Sequence, residues 1–155
     1  MLKINPEFRK TLSQALGEEV LFLCYQCGKC SAHCPVFHRV PDRFNPRKIL
    51  EMAYLGVEQL LEDPALWLCT TCYECVENCP QTVNFVDIIV TLRNLAMDRG
   101  LAPKSVLDEY QAVTNKGFVY PLTGRIRKVK EELGLSITGD GDSPSFQQVL
   151  EVRHG

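Results

Sequence analysis

The chain has 155 residues, and its 17 basic and 19 acidic side chains give a formal net charge of −2. A charge so close to neutral provides no electrostatic basis for binding nucleic acid. The length is that of one domain. No segment approaches the roughly 20 apolar residues of a membrane-spanning helix, and the first ten residues, MLKINPEFRK, lack the apolar core of a secretory signal.

Helix-start signals recur along the chain and predict an all-α fold. Asn5 and Pro6 begin a first helix that ends at Gly17, because asparagine caps a helix and proline fits its first position. The same reasoning, with apolar side chains gathered on one face, predicts further helical segments at 46–55, 57–62, 64–68, 85–99, 103–117 and 123–134. Residues 36–45 are predicted to be irregular, and no β-pattern of useful length is visible.

The chain changes character after residue 135. Residues 136–143, SITGDGDS, are polar and rich in glycine, which predicts a flexible linker. Ser143 and Pro144 then begin a short segment with apolar side chains on one side, too short to be a stable helix alone in water. We therefore expect an α-helical domain at 1–135 and, at 136–155, a linker with a docking segment that contacts either its own domain or another subunit.

Two cysteine runs lie 45 residues apart. Residues 24–35 read CYQCGKCSAHCP and residues 69–80 read CTTCYECVENCP, so both follow the pattern C-x2-C-x2-C-x3-C-P. Each cysteine of the second run comes 45 positions after its counterpart, and all eight cysteines of the chain belong to the two runs. This is the ligand pattern of a protein that carries two [4Fe-4S] clusters.

The spacing also predicts which cysteines share a cluster. Three cysteines at intervals of three wrap a loop around one face of a cubane, and N–H groups of that loop can point at its sulfurs. The fourth cysteine precedes proline, which turns the chain away, and in two-cluster proteins it binds the other cluster. The predicted ligands of cluster one are Cys24, Cys27, Cys30 and Cys79. The predicted ligands of cluster two are Cys69, Cys72, Cys75 and Cys34.

Two neighbours of these ligands have open roles. Gly28 lies between two cysteines, where it either allows a positive φ close to the cluster or is an ordinary turn residue. Trp67, the single tryptophan, precedes Cys69 by two residues and serves either as a lid on the cluster or as a core anchor.

Three other uses of cysteine compete with this interpretation. Disulfides are possible with an even cysteine count, but three cysteines at intervals of three are poorly placed to pair. A four-thiolate zinc site has no use for the third and fourth cysteine of each run. A thioredoxin-like motif requires a βαβ setting, which the sequence does not predict. Oxygen-sensitive clusters and unpaired thiols both indicate a reducing cytoplasm.

Up to about residue 135, the chain resembles the C subunit of heterodisulfide reductase and its bacterial relatives. The resemblance rests on the two cysteine runs, on NPRKILEM in the helical spacer and on IVTLRNLA after the second run. The cysteine pattern alone is shared with the cluster domains of succinate dehydrogenase and fumarate reductase, and of glycerol-3-phosphate and glycolate oxidases. Those domains usually belong to longer chains.

The resemblance implies an α-helical ferredoxin fold and a subunit of a hetero-oligomeric complex that is not catalytic alone. In that family the C subunit relays electrons between a flavin-binding, iron–sulfur A subunit and a B subunit whose CCG motifs hold the clusters for disulfide chemistry. We expect no nucleic-acid partner and no membrane span. The alternatives are a subunit of a succinate or fumarate type respiratory dehydrogenase, a cysteine-rich zinc scaffold, and an iron–sulfur regulator.

Overall fold

A computed structural model of the protein describes residues 3–17, 20–116, 119 and 123–135. The chain divides into two compact units, residues 1–102 and residues 103–155. The described residues form α-helices and short 3₁₀ helices without a strand, apart from one isolated bridge between Ile4 and Val57. The predicted all-α fold is confirmed. The linker and docking segment at 136–155 lie outside the described residues, so the boundary at 135 stays a prediction.

The first unit carries most of the helices. Its α-helices are α1 (Pro6–Leu16), α2 (Lys29–Ala32), α3 (Pro35–Arg39), α4 (Pro46–Leu55), α5 (Glu74–Glu77) and α6 (Phe85–Asp98). Its 3₁₀ helices are Val20–Leu23, Glu58–Glu62 and Pro64–Leu68. The second unit contains α7 (Lys104–Lys116) and α8 (Gly124–Glu132). In the part of the chain that is described, no helix is long and apolar enough to cross a membrane.

Asparagine side chains begin the three longest helices of the first unit. Asn5 Oδ1 accepts a hydrogen bond from Glu7 N at 3.0 Å, and Asn45 Oδ1 accepts one from Lys48 N at 3.3 Å. Asn84 caps α6 in the same way. Because these caps are local in sequence, the predicted helix bounds agree with the structure to within one or two residues.

Helix α3 corrects the prediction that residues 36–45 are irregular. Cys34 Sγ accepts a hydrogen bond from Phe37 N at 3.4 Å, and Pro35 occupies the first helical position. The cysteine sulfur therefore takes the place of the usual capping oxygen, and a short helix forms directly after the first run. Helices α2 and α5, inside the cysteine runs, were not predicted.

The core of the first unit forms where α6 meets α1, α4 and the 3₁₀ helices Glu58–Glu62 and Pro64–Leu68. Full burial of a large apolar side chain stabilises the folded state by about 1.5–3 kcal/mol. The largest fully buried apolar side chains include Phe8, Leu12, Phe44, Leu60, Leu61, Leu66, Phe85, Ile88, Ile89 and Leu92. These residues come from α1, from the segment between the two cysteine runs and from α6. One core therefore supports both runs.

The end of α4 lies against the beginning of α1 at Gly56. Its φ is +72°, and its carbonyl oxygen accepts a hydrogen bond from Asn5 N at 2.8 Å. A Cβ atom at this position would lie 2.7 Å from Asn5 O and 2.9 Å from Arg9 Cβ. Both the backbone conformation and the space around it therefore require glycine.

Candidate iron–sulfur site

The two cysteine runs follow the same backbone path. Gln26 and Thr71 have φ values of +55° and +52°, and Gly28 and Tyr73 have φ values of +82° and +65°. Each pair is separated by the same 45 residues as the cysteines, and α2 and α5 begin directly after the second pair. The left-handed conformation costs a residue other than glycine roughly 1–2 kcal/mol. The sequence repeat is therefore a structural repeat, held in a strained shape at three of its four left-handed positions.

A small pocket lies between the first run and the last cysteine of the second run. Its lining includes the four cysteines predicted to hold cluster one, namely Cys24, Cys27, Cys30 and Cys79. Cys75 also reaches this pocket, and the buried side chains of Leu50, Val83 and Phe85 complete an apolar part of its wall. The structure thus brings the fourth cysteine of the second run to the loop of the first.

Electrostatic interactions link cysteines of the two runs. Burial raises the pKa of the Cys75 thiol to about 12, and neighbouring cysteines act in the same direction. Those neighbours are Cys69, Cys30, Cys72 and Cys34. Burial also raises the pKa of Cys69, with Cys34 and Cys72 adding to the rise while Thr71 N–H and Arg93 oppose it. Burial raises the pKa of Cys30 as well, and its charged neighbours are Cys24 and Cys27 of its own run.

Backbone N–H groups donate to three of the sulfurs. Phe37 N donates to Cys34 Sγ at 3.4 Å, and Thr71 N donates to Cys69 Sγ at 3.4 Å. Val83 N donates to Cys79 Sγ at 3.3 Å. Such bonds stabilise a negatively charged thiolate and tune the potential of a cluster that it binds.

The chemistry of the donor set fits iron–sulfur clusters. All eight cysteines are free thiols. A [4Fe-4S] cubane binds four cysteine thiolates, and the lining of the pocket includes Cys24, Cys27, Cys30 and Cys79. The residues present therefore fit [4Fe-4S] clusters.

Ser31 attaches the first run to the beginning of α4. Its buried Oγ donates to Asn45 Oδ1 at 2.7 Å and accepts a hydrogen bond from Arg47 N at 3.2 Å. Ser31 follows Cys30 directly, so these bonds fix α2 against the beginning of α4. The sequence indicated Asn45 only as a cap, because nothing local pairs it with a serine 14 residues away.

Arg93 attaches the second run to α6, and sequence reasoning missed it too. Its Nε donates to Leu66 O at 2.7 Å, and its Nη2 donates to Cys69 O at 2.7 Å. The guanidinium carbon lies 5.5 Å from the centre of the Trp67 ring. Trp67 also packs against the core, which agrees with the core-anchor role left open by the sequence.

Comparison with known proteins also assigns [4Fe-4S] clusters to the two cysteine runs. A family model described as a 4Fe-4S dicluster domain matches residues 20–83, which contain both runs. The iron–sulfur C2 subunit of the CoB-CoM heterodisulfide reductase of Methanocaldococcus jannaschii is 32% identical, over 97% of this chain and 84% of that protein. The corresponding iron–sulfur C subunit of Methanopyrus kandleri is 36% identical, over 85% of this chain and 72% of its own. The C subunit of a ferredoxin:CoB-CoM heterodisulfide reductase from Methanosarcina mazei is 36% identical, over 85% and 80%.

The similarity to these proteins extends well beyond the cysteine runs. The eight cysteines of the two runs and the dicluster match assign two [4Fe-4S] clusters as cofactors. An iron–sulfur subunit of this kind transfers electrons within a heterodisulfide reductase complex. The chain belongs to the family of heterodisulfide reductase iron–sulfur C subunits.

Proposed function

We propose that this chain relays electrons between a flavin-binding, iron–sulfur A subunit and a B subunit whose CCG motifs hold the site of disulfide reduction. The names of its relatives support this role, since all three compared proteins are C subunits of heterodisulfide reductases. The chain is not catalytic alone, and the complex works in the cytoplasm. Its own contribution is to hold two one-electron carriers at a fixed separation.

The ligand sets of the proposal are crossed between the runs. Cluster one is held by Cys24, Cys27, Cys30 and Cys79, and cluster two by Cys69, Cys72, Cys75 and Cys34. The observation that carries this assignment is the pocket whose lining combines the first three cysteines with Cys79. The electrostatic effect of Cys34 on Cys69 supports the second set. Each run then contributes one ligand to the other cluster, which keeps the two clusters close together.

The protein residues control both access and potential. A bound [4Fe-4S] cluster accepts and releases one electron at a time. Cys34 and Cys75 are buried, and the buried side chains of Val83 and Phe85 keep water from one side of the pocket that joins the first run to Cys79. The N–H groups that donate to cysteine sulfurs stabilise the more negative, reduced state.

Each run also leaves its second cysteine exposed. Cys27 and Cys72 are both exposed at the surface of the first unit. Tyr25 and Tyr73, each next to a cysteine in the sequence, are exposed as well. A relay requires an accessible edge at each carrier, one for the donor and one for the acceptor. The two exposed cysteines provide one such edge in each run.

Substitution of single cysteines tests the crossed ligation. Cys79→Ala is expected to alter the same electron paramagnetic resonance signal as Cys27→Ala, and Cys34→Ala the same signal as Cys72→Ala. Cys27 and Cys72 are suitable references because they are exposed, so their replacement changes ligation with little effect on packing. If Cys79→Ala instead matches Cys72→Ala, each run holds its own cluster and the crossed assignment is wrong.

Anaerobic purification of the tagged chain from its native cell tests the partners. We expect iron and sulfide sufficient for two cubanes per chain, together with a flavoprotein and a CCG-containing subunit. The same iron content with a membrane-anchored dehydrogenase would move the function to a respiratory complex. Zinc in place of iron would contradict the cluster assignment itself.

A further inference from the structure

The guanidinium of Arg93 is held at three points beside the second cysteine run. It donates to the carbonyl oxygens of Leu66 and Cys69, both at 2.7 Å, and it lies over the Trp67 ring at 5.5 Å. Arg93 itself is on α6, whose neighbouring residue Leu92 is fully buried. The charge therefore has a fixed position that is set by the core of the unit.

The two carbonyl groups explain why the residue is arginine. Leu66 lies in the 3₁₀ helix Pro64–Leu68, and Cys69 caps the end of that helix. The last carbonyl groups of a helix have no partner within it. The planar fork of arginine can donate to two acceptors at once, whereas the ammonium of lysine is a single point charge on a flexible stem. Arg93 thus fixes the segment that leads into the first cysteine of the second run.

We propose that Arg93 is a positioning residue that orients Cys69 and raises the reduction potential of cluster two. Reduction adds one negative charge to the cluster, and a fixed positive charge beside a ligand stabilises that state relative to the oxidised one. The half-buried setting of Arg93 lowers the screening of this interaction by water. The proposal depends on the proposed function in one respect, which is that Cys69 binds cluster two.

The test is an anaerobic redox titration of the full chain with both clusters bound, followed by electron paramagnetic resonance. Arg93→Gln keeps a hydrogen-bond donor and removes the charge. It is expected to reduce the equilibrium constant for reduction of cluster two about tenfold, which is about 59 mV for a one-electron couple. Cluster one is expected to keep its potential. The two signals are assigned with the cysteine variants described above.

Arg99→Gln is the matched control, because it removes the same charge from the end of the same helix. Arg99 is exposed, forms an ion pair with Glu58 and lies over the Phe8 ring, and neither of these partners belongs to a cysteine run. We expect both potentials to stay at their wild-type values in this variant. An equal shift in Arg99→Gln and Arg93→Gln, or no shift in Arg93→Gln, would overturn the proposal.

Arg93→Lys separates the charge from the two hydrogen bonds. It is expected to keep the equilibrium constant for reduction of cluster two within about threefold of wild type. The g values of the cluster-two signal are expected to change, since lysine cannot form both of the hydrogen bonds that orient Cys69. If Arg93→Gln does not bind cluster two, Arg93→Lys tests the proposal in its place. A tenfold fall in the equilibrium constant for reduction of cluster two, although the charge is retained, would overturn the proposal.

The iron content of the wild-type chain is measured in parallel. Fewer than two clusters there would contradict the proposed function, whereas two clusters with an unchanged potential in Arg93→Gln would contradict this inference alone.

Discussion

Substitution of Gly56 by alanine is expected to destabilise the first unit strongly. A left-handed φ, here +72°, costs a residue with a Cβ atom about 1–2 kcal/mol. The added Cβ would also lie 2.7 Å from Asn5 O and 2.9 Å from Arg9 Cβ, and overpacking of this kind costs about 1–3 kcal/mol. The sum is about 2–5 kcal/mol, a large part of the roughly 5–15 kcal/mol that stabilises a typical domain.

Gly100→Ala provides the control for the backbone term. Gly100 has a φ of +67°, but no described atom lies within 4 Å of a Cβ built there, apart from its chain neighbours. Its substitution is expected to cost only the conformational part, about 1–2 kcal/mol. The difference between the two variants therefore measures the close approach of α1 and α4.

The assay is thermal unfolding of the cluster-loaded chain without oxygen, at one scan rate, followed by far-ultraviolet circular dichroism. For a chain of this size, 1 kcal/mol lowers the midpoint by about 2–4 °C. We expect a fall of about 2–8 °C for Gly100→Ala and about 4–20 °C for Gly56→Ala. Equal midpoints for the two variants would refute the steric part of the reasoning.

Two further predictions concern the cysteine runs. Asn45→Ala removes a helix cap worth about 1 kcal/mol and leaves the buried Ser31 hydroxyl without its acceptor, which costs about 1–3 kcal/mol. Its unfolding midpoint should fall further than that of Asn84→Ala, which loses a cap and an exposed hydrogen bond to Asp87 but no buried partner. Similar midpoints would contradict the link to Ser31. In the cluster-free chain, Cys75 has a raised pKa of about 12, so its reactive thiolate is scarce at pH 8. Mass spectrometry should show that iodoacetamide modifies Cys75 far more slowly than the exposed Cys72. The rate for Cys75 should rise about tenfold per pH unit. A rate that does not change with pH would contradict the raised pKa.

Features that depend on neighbouring residues could be predicted from the sequence. The asparagine caps of α1 and α4 act within three residues, so the helix bounds followed directly. Helix α3 was missed because a cysteine sulfur caps it, and sulfur is outside the usual set of capping groups. Helices α2 and α5 were missed because they begin after left-handed residues, and Tyr73 carries no sequence signal for that conformation.

The same distinction applies to the site. The cysteine spacing predicted the candidate ligands and the kind of cofactor, because a cubane imposes that spacing on a single loop. The supporting bonds of Ser31 and Arg93 join residues 14 to 27 positions apart. Such pairs depend on how the helices pack, which a single sequence does not specify. The assignment of each cysteine to one cluster stays a prediction until the variants are measured.

The pocket that joins the first run to Cys79 also affects when the protein can mature. At translation rates of roughly 5–20 residues per second, Cys79 is made about 2–10 s after Cys30. During that interval the nascent chain has only three of the five cysteines that line the pocket, because Cys75 and Cys79 both belong to the second run. If the ligation is crossed as proposed, the first cluster is inserted only after the second run has left the ribosome. A polypeptide that ends between the two runs would then complete neither cluster.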